Sequence, residues 1–257
     1  MKVVILAGGR GTRLAEETTV RPKPLVQIGE KPILWHIMMH YSSYGMTEFM
    51  IALGYKGDLI KSFFADEIRF KGSVTVDYSS RSVERLEAPL SVEDRWRVHL
   101  VDTGVDTPTG GRIQRLAPLL GKETFMMTFG DGVSNVDIGA LLEFHKAHGR
   151  LATVTTVRSP NRFGQLQFEG DAVASFEEKP KQSDTWISGG FFVLEPGVFD
   201  YLGVDRDWSS ECLPQLASDG QLMAYRHESF WQCMDTLQER TYLESLWSEG
   251  QAPWKTW

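Results

Sequence analysis

The first apolar stretch of the chain leads into a loop with three glycines and two arginines. The sequence there is Val3-Val4-Ile5-Leu6-Ala7-Gly8-Gly9-Arg10-Gly11-Thr12-Arg13-Leu14. A glycine has no Cβ to keep a phosphate away from backbone N–H groups, and an arginine adds positive charge. The pattern therefore predicts a buried strand that ends in a phosphate-binding loop.

Neither of the two common glycine loops fits these residues. Leu14 stands where the dinucleotide-binding fingerprint has its third glycine, and no Gly-Lys-Ser/Thr follows, as the P-loop requires. From the loop alone, an ordinary glycine-rich turn between a strand and a helix explains the sequence equally well.

Two aspartates have the residue type and position to hold a divalent cation. Asp131 lies between two glycines directly after the apolar stretch 124–129, and Asp235 follows the short apolar stretch 230–234. Mg²⁺ prefers one or two carboxylates together with substrate phosphates and waters. Both aspartates also have structural alternatives, since Asp-Gly pairs are common in turns and Asp235 could cap the helix predicted over 237–247.

The elements that must hold these residues alternate between strands and helices. Apolar periodicity predicts strands over 3–6, 48–53, 73–78, 98–101, 124–129, 152–157, 191–194, 222–225 and 230–234, a hairpin over 162–168 and 172–176, and helices over 32–44, 56–65, 109–120, 196–202, 209–218 and 237–247. The charged stretch 81–97 has no clear period and is predicted to be a solvated excursion. This order favours an α/β fold with a Rossmann-like, mixed, mostly parallel sheet flanked by helices.

In open α/β sheets, ligands gather at the carboxyl ends of strands. The turn after 98–101 is therefore a second candidate for nucleotide contacts, through Thr103 and through the helix start Gly110-Gly111-Arg112. A capped helix start without a ligand explains the same residues equally well.

Composition sets the class of protein. The 257 residues, 42% of them apolar, suit one large domain or a domain with a small appendage, and the net charge of −7 argues against general nucleic-acid binding. With no apolar run of about 18 residues, we expect no membrane span. Because the sequence starts with a strand pattern instead of a basic and then apolar leader, we expect no secretion, and the cytoplasm is the default location. The two cysteines indicate neither a zinc site nor a disulfide framework, and His36 and His40 are interpreted as structural.

The stretch from Leu6 to Leu14 matches the signature L-A-G-G-x-G-T-R-L of the sugar-1-phosphate nucleotidylyltransferases, and the Lys-Pro pair of that family follows at Lys23-Pro24. Further stretches resemble the branch of the family that uses CTP and glucose 1-phosphate, and the resemblance runs almost end to end. They are Glu16-Glu17-Thr18, Arg21-Pro22-Lys23-Pro24, Lys31-Pro32-Ile33-Leu34-Trp35-His36-Ile37-Met38 and Ala252-Pro253-Trp254-Lys255-Thr256-Trp257.

The resemblance implies a role for each candidate residue. Arg13 and Lys23 would be catalytic, Asp131 and Asp235 would hold Mg²⁺, and the chain would form a homo-oligomer. The implied nucleotide contacts are Leu6, Ala7, Gly8, Gly9, Arg10, Gly11, Thr12, Arg13, Lys23, Thr103, Gly110, Gly111, Arg112 and Gly130. The implied sugar-phosphate contacts are Gly164, Glu178, Lys179, Ser188, Gly189 and Trp231.

Two observations weigh against the implied sugar-phosphate contacts. By composition alone, Glu177-Glu178-Lys179-Pro180 is a solvated charge cluster, although a carboxylate suits paired sugar hydroxyls and an ammonium suits a phosphate. Ser188 stands where the family commonly has asparagine. We expect a single domain, with 1–135 mainly for the nucleotide, 150–235 mainly for the sugar phosphate, and a small β-rich appendage for sugar binding and oligomerisation.

The resemblance, together with these residues, implies the Mg²⁺-dependent transfer of a cytidylyl group from CTP to glucose 1-phosphate, which gives CDP-glucose and pyrophosphate. The same chemistry with UTP, dTTP or another hexose 1-phosphate is one alternative, because base choice rests on few hydrogen bonds. A catalytically silent subunit that binds a nucleotide sugar is another, and a dinucleotide-dependent oxidoreductase is disfavoured by Leu14.

Overall fold

The structure, a computed structural model, describes residues 1–70, 72–85, 91–158, 165–169, 171–177 and 185–257. The strands are β1 (Lys2–Leu6), β2 (Gln27–Ile28), β3 (Lys31–Pro32), β4 (Glu48–Leu53), β5 (Val74–Asp77), β6 (Ser82–Arg85), β7 (Arg97–Asp102), β8 (Phe125–Phe129), β9 (Gly132–Ser134), β10 (Ala152–Arg158), β11 (Gln165–Glu169), β12 (Ala172–Glu177), β13 (Trp186–Leu194), β14 (Leu222–His227) and β15 (Trp231–Cys233). The α-helices are α1 (Ala15–Thr18), α2 (Ile33–Ser43), α3 (Gly57–Phe70), α4 (Thr109–Leu120), α5 (Ile138–His148), α6 (Leu213–Ser218) and α7 (Leu237–Ser248). Short 3-10 helices cover Thr12–Leu14, Lys23–Leu25, Val92–Arg95 and Pro196–Tyr201, and a π-helical turn covers Trp208–Cys212.

Seven strands form one central sheet in the order β14-β10-β13-β8-β1-β4-β7. β1 pairs in parallel with both of its neighbours, so Leu6 lies beside Phe129 of β8 on one side and beside Ala52 of β4 on the other. β7 extends this parallel block beyond β4. The carboxyl ends of four strands therefore meet at one edge, where the loops that follow them lie side by side.

β13 runs antiparallel to both of its neighbours, β8 and β10, while β10 pairs in parallel with β14. β13 thus joins the parallel block β8-β1-β4-β7 to the parallel pair β10-β14 in one sheet. The predicted mixed, mostly parallel sheet is confirmed. The predicted hairpin is also present, because β11 and β12 pair antiparallel as a separate two-stranded sheet.

Apolar side chains cover both faces of the sheet. On β1, Val3 and Ile5 belong to one buried cluster with residues of α2 and α7, whereas Val4 and Leu6 belong to a second cluster with residues of α4. A parallel strand that is buried on both faces accounts for the uninterrupted apolar run at the start of the sequence. No helix within the described ranges is long and apolar enough to cross a bilayer.

The structure differs from the prediction where elements are exposed. The stretch 81–97 is partly ordered, because β6 pairs with β5 and a 3-10 helix follows at Val92–Arg95. α3 continues to Phe70, although its buried residues are Gly57 and Ile60 near its start. No element is predicted over α5, which buries only a narrow face. Hydrophobic periodicity reports burial, so elements with little buried surface leave a weak pattern.

Two buried histidines on α2 bind the backbone and the C-terminal segment. His36 Nε2 lies 2.9 Å from the Ile28 carbonyl oxygen, and His40 Nε2 lies 3.0 Å from that of Val136. Because a carbonyl only accepts, each ring donates from Nε2 and is left with an acceptor at Nδ1. The indole of the buried Trp254 donates to Nδ1 of His36 at 3.3 Å. Both histidines are therefore structural, as the sequence indicates.

These histidines make stability depend on pH. Burial disfavours the charged ring and lowers the pKa of His36 and of His40 to about 4, below the ordinary value of 6.5. The unfolded chain then binds more protons between pH 6.5 and pH 4, so the free energy of unfolding falls as the pH drops through this window and is fully retained above it. Each histidine should remove about 2 kcal/mol between pH 6.5 and pH 5.

Urea unfolding at pH 7, 6 and 5 measures this dependence. His40→Gln should be less stable at pH 7 but should show a shallower slope below pH 6.5, by about 1.4 kcal/mol per pH unit. Burial also lowers the pKa of His145, His148 and His227, which contribute in the same direction. Equal slopes in the two proteins would contradict the assignment of a buried, neutral His40.

Candidate active site

Four charged side chains meet at the carboxyl edge of the sheet. The ammonium of Lys23 lies between two carboxylates: its Nζ is 2.8 Å from Asp131 Oδ2 and also donates to Asp235 Oδ1. Arg13 reaches the other oxygen of Asp235, with 2.5 Å between Nη1 and Oδ2. The fold therefore brings together both predicted catalytic residues and both predicted metal ligands, across as many as 222 residues of sequence.

Burial makes the pairing of these charges necessary. Lys23 is 7% exposed and Asp235 is 8% exposed, whereas the Arg13 side chain is largely in solvent. Burial alone would lower the pKa of the Lys23 ammonium, but the charge of Asp131 and the hydrogen bonds of both aspartates outweigh it and hold that pKa above its ordinary value. Lys23 is thus a protonated, desolvated cation at the floor of the site.

Backbone contacts bring the two aspartates together. β15 pairs antiparallel with β9, and the N–H of Met234 donates to the carbonyl of Asp131 at 2.8 Å. The cap of α7 is Thr236, whose hydroxyl accepts from the N–H of Glu239, while the Glu239 carboxylate accepts from the N–H groups of Asp235 and Thr236. The alternative that Asp235 itself caps this helix is wrong, and its carboxylate faces Lys23 and Arg13 instead.

A cleft of about 340 Å³ opens over this cluster. It is lined by the predicted nucleotide contacts Leu6, Ala7, Gly8, Gly9, Gly11, Thr12, Arg13, Lys23, Arg112 and Gly130, together with Asp131 and Asp235. Gly11 has a positive φ of 63°, which lets the chain turn from the glycine loop into the 3-10 helix Thr12–Leu14. The loop after β1 is thus the central wall of the cleft.

The side chain of Arg112, a residue of α4, links three strand-end loops by hydrogen bonds. Its guanidinium donates to the carbonyl oxygens of Gly8, Leu53, Gly104 and Val105, at distances of 2.7–3.2 Å. It also donates to the Thr103 hydroxyl, which in turn donates to Leu53. The loops after β1, β4 and β7 therefore share one cation, and the donors of Arg112 are directed at protein oxygens.

Two glycines make room for this guanidinium. A Cβ on Gly8 would lie inside contact distance of the Arg112 guanidinium, and a Cβ on Gly54 would lie 2.5 Å from its Nη1 and 2.7 Å from the Gly8 carbonyl oxygen. A Cβ on Gly9, by contrast, would meet nothing within 4 Å. Gly8 is thus required by the packing around Arg112, whereas the open space at Gly9 leaves its backbone accessible from the cleft.

Four of the predicted nucleotide contacts do not line the cleft. Thr103 is fully buried beneath it, and a Cβ on Gly110 would approach the Arg206 carbonyl oxygen to 2.5 Å. Gly111 donates its N–H to the same carbonyl oxygen, so this glycine pair serves close packing against the segment before the π-helical turn. Arg10 is exposed and forms a surface ion pair with Asp106 at 2.7 Å.

The predicted sugar side is described in part. Ser188 and Gly189 lie on β13, and the Trp231 indole donates to the Gly189 carbonyl at 2.7 Å, which joins β15 to the central sheet. Ser188 is exposed, and its hydroxyl accepts from the N–H of Gly190 at 3.3 Å. The remaining predicted contacts, Gly164, Glu178 and Lys179, lie outside the described residues.

Further cleft residues are absent from the predicted set. They are Pro24, Thr107, Pro108, Thr109, Phe129 and Asp207. Five of them lie next to stretches that contain predicted contacts, so their position along the chain could have indicated them. Asp207 gave none, because nothing in the sequence links it to Thr109, whose hydroxyl donates to its carboxylate at 2.7 Å across 98 residues.

A Rossmann-like sheet with a glycine- and arginine-lined cleft, and with paired aspartates at its carboxyl edge, defines a class of nucleotide-dependent, phosphate-transferring proteins. The chain matches the family model described as nucleotidyl transferase over residues 2–247. It belongs to this family, and the family predicted from the sequence is confirmed.

Relatives within the family are similar over the full length. The chain is 51% identical to a glucose-1-phosphate cytidylyltransferase of Salmonella typhi and 45% identical to a probable glucose-1-phosphate cytidylyltransferase of Bacillus subtilis (strain 168), with 100% of each chain covered in both comparisons. Among solved structures, a putative glucose-1-phosphate thymidylyltransferase from Bacillus anthracis matches with a TM-score of 0.65 and 22% identity, over 96% of this chain and 94% of that one. The structural match supports the same fold.

The packing around Arg112 yields a stability prediction. Gly8→Ala and Gly54→Ala should each lower the free energy of unfolding by about 1–3 kcal/mol, because five hydrogen bonds hold the guanidinium and prevent it from moving aside. Gly9→Ala is the matched control and should stay within about 0.5 kcal/mol of the parent. Urea unfolding at pH 7 compares them, and equal stabilities of Gly8→Ala and Gly9→Ala would show that Arg112 does not constrain the loop.

Proposed function

We propose that the protein transfers a cytidylyl group from CTP to α-D-glucose 1-phosphate, with CDP-glucose and pyrophosphate as products. The observation that carries nucleotidyl transfer is the convergence of Arg13, Lys23, Asp131 and Asp235 on one glycine-lined cleft. The choice of CTP and of the glucose ester is supported by full-length identity of 51% to a protein with the corresponding name.

The reaction needs little covalent chemistry from the protein. A phosphate oxygen of the sugar phosphate forms a bond to the α-phosphorus of CTP, and the bond from that phosphorus to the oxygen of the leaving pyrophosphate breaks. The nucleophile is already an anion, so no general base is required. What the site must supply is alignment of two mutually repelling polyanions and neutralisation of the charge that develops.

The charged cluster suits this task. Lys23 is held protonated at the floor of the cleft and would bridge the reacting phosphates. The solvent-exposed Arg13 would stabilise the negative charge that develops on the departing pyrophosphate. Backbone N–H groups of 8–12 would hold the triphosphate, as expected of a glycine loop at a strand end. Donors that are directed at the substrate phosphates need little reorganisation during the reaction, and this would be the source of their catalytic effect.

Asp131 and Asp235 would hold Mg²⁺. Their fit to a cation is supported by their present arrangement, since one oxygen of each converges on the same ammonium. Among the residues that the structure describes, no group of three or more His, Cys, Asp and Glu side chains could form a closed metal cage. Two carboxylates with room for phosphates and waters are what Mg²⁺ prefers, and the ion when bound would neutralise charge on the α-phosphate.

On the sugar side, we propose that Glu178 binds the glucose hydroxyls and Lys179 the sugar phosphate, with Gly164, Ser188, Gly189 and Trp231 beside them. We also propose that the chain works in the cytoplasm as a homo-oligomer. Exposed apolar side chains on α3 and on the hairpin that follows it support self-association, namely Ile68, Phe70, Val76 and Tyr78.

The first experiment follows pyrophosphate release with Mg²⁺, glucose 1-phosphate and each nucleoside triphosphate in turn, with ³¹P spectra to identify the product. Release with CTP, together with the spectrum of a diphosphate-linked sugar, supports the proposal. Release with UTP or dTTP instead would retain the chemistry and change the substrate. Nucleotide binding without release under any pairing would overturn nucleotidyl transfer and favour a silent binding subunit.

Substitutions test the proposed roles. Lys23→Ala and Asp131→Asn should each lower turnover by at least about a hundredfold, the scale for losing one group that stabilises developing charge. Lys146→Ala, which removes an exposed lysine from a surface pair with Glu143, is the control and should leave turnover unchanged. Circular dichroism confirms folding of each variant, and near-normal turnover in either site variant would refute the role given to that residue.

A thermal-unfolding experiment tests the metal ligands without catalysis. Lys23→Ala leaves two facing carboxylates without their ammonium, so Mg²⁺ should stabilise this variant more than the parent, by up to about 2.7 kcal/mol at a hundred times Kd. The added stabilisation should vanish in the double variant Lys23→Ala/Asp131→Asn. Equal Mg²⁺ effects in the single and double variants would show that Asp131 is not a ligand.

A further inference from the structure

The cleft extends from one face of the sheet to the other. Lys23, Asp131 and Asp235 lie on the side of the apolar cluster that includes α2 and α7. The lining residues Thr109 and Asp207 lie on the opposite side, because the elements they begin, α4 and the π-helical turn, contribute to the second apolar cluster. The glycine loop after β1 lies between these two ends.

The carboxylates at the two ends differ in their partners. At the first end the carboxylates are matched by Lys23 and by Arg13. At the second end Asp207 has hydroxyl and N–H partners, and no cation among the described residues lies within ion-pair distance of it. Burial alone would raise the pKa of Asp207, but the hydrogen bonds from Thr109, Ser210 and Ser209 outweigh it and lower that pKa, so the group is ionised at pH 7.

The hydrogen bonds of Asp207 leave one acceptor position free. Its Oδ1 accepts from the N–H of Ser209 at 3.0 Å and from the N–H and hydroxyl of Ser210, both at 2.9 Å. Its Oδ2 accepts from the Thr109 hydroxyl at 2.7 Å and, within the described part of the chain, from nothing else. A carboxylate offers about four acceptor positions, two on each oxygen. Oδ2 therefore retains one, on a residue that lines the cleft.

An unpaired carboxylate repels a triphosphate, so the phosphates belong at the end with Lys23 and Arg13. The nucleoside is uncharged and then extends toward Asp207. Both of its parts carry donors, since the ribose has hydroxyl groups and cytosine has an exocyclic amino group. A uracil ring has a carbonyl oxygen at the position of that amino group, which a carboxylate would repel.

We propose that Asp207 recognises the nucleoside of the substrate, with Oδ2 accepting a hydrogen bond from a ribose hydroxyl or from the exocyclic amino group of cytosine. This inference rests on the proposed nucleotidyl transfer and adds a specificity-determining residue to it. Oδ1 keeps the cap of the π-helical turn, while Oδ2 faces the ligand.

Asp207→Asn tests the inference, because asparagine caps a helix about as well as aspartate while it removes the charge and one acceptor oxygen. Asp207→Ser is a second variant that also retains a capping hydroxyl. Asp205→Asn is the matched control, since this exposed aspartate lies two residues away and does not line the cleft. For each protein, kcat and KM are measured with CTP, dCTP and UTP, and Kd for CTP is measured by calorimetry.

We expect Asp207→Asn and Asp207→Ser to lower kcat/KM for CTP by about tenfold to a hundredfold, mainly through KM, with a matching rise in Kd. If a 2′-hydroxyl donates, the preference for CTP over dCTP will shrink. If the amino group donates, the preference for CTP over UTP will shrink instead. If a 3′-hydroxyl donates, the Asp207 variants will lose affinity for all three nucleotides to the same extent. The control Asp205→Asn should match the parent.

The inference is overturned if both folded variants keep the parent's KM, Kd and nucleotide preferences within about twofold, because Asp207 would then serve only as a cap. Melting temperatures establish that the variants are folded. The parent protein tests the proposed function separately: if it turns over no nucleoside triphosphate, the proposed function fails, whereas the calorimetric comparison still decides whether Asp207 contacts the nucleoside.

Discussion

The site depends on the buried ion pairs of the Lys23 ammonium with Asp131 and Asp235. Removing one charge from a buried pair leaves the other uncompensated, which costs far more than the pair contributes to stability. The loop after β1, the turn after β8 and the start of α7 are therefore held to one geometry by charge balance. With Arg13 included, two cations face two anions. The cluster is thus neutral overall, although its individual groups are strongly charged.

Arg112 performs a complementary function with neutral partners. Its guanidinium is buried against backbone carbonyls of three loops, so its positive charge is spread over dipoles instead of being cancelled by a carboxylate. Burial and the charge of Arg115 lower the pKa of Arg112, and the charges of Asp102 and Asp106 act against that effect. This arrangement links the strand-end loops to one another and, among the residues that the structure describes, places no further carboxylate beside the guanidinium.

The sequence predicted those parts of the structure whose signal is local. The apolar run of β1, the glycine loop and the Gly-Asp-Gly turn are each contiguous, and the fold brings the predicted Arg13, Lys23, Asp131 and Asp235 together. Thr103, Gly110 and Gly111 also stood out in sequence, but their residue types serve buried hydrogen bonding and close packing equally well. Asp207 could not be found, since its position in the cleft depends on packing against α4 from far along the chain.

The pairing of Lys23 with Asp235 joins residues 212 positions apart, and this separation has a consequence for biosynthesis. While the ribosome is still making the second half of the protein, β1, β4 and β7 can already assemble in parallel, yet the lysine has only one of its two counter-charges. The strand that links the two parallel blocks and the last helix must both arrive before the polar cluster closes. The cluster of Lys23, Asp131 and Asp235 is thus incomplete in a nascent or partly refolded chain. Because helices form locally and this cluster depends on distant contacts, the return of activity during refolding should follow the completion of the tertiary structure and not the first appearance of helical content.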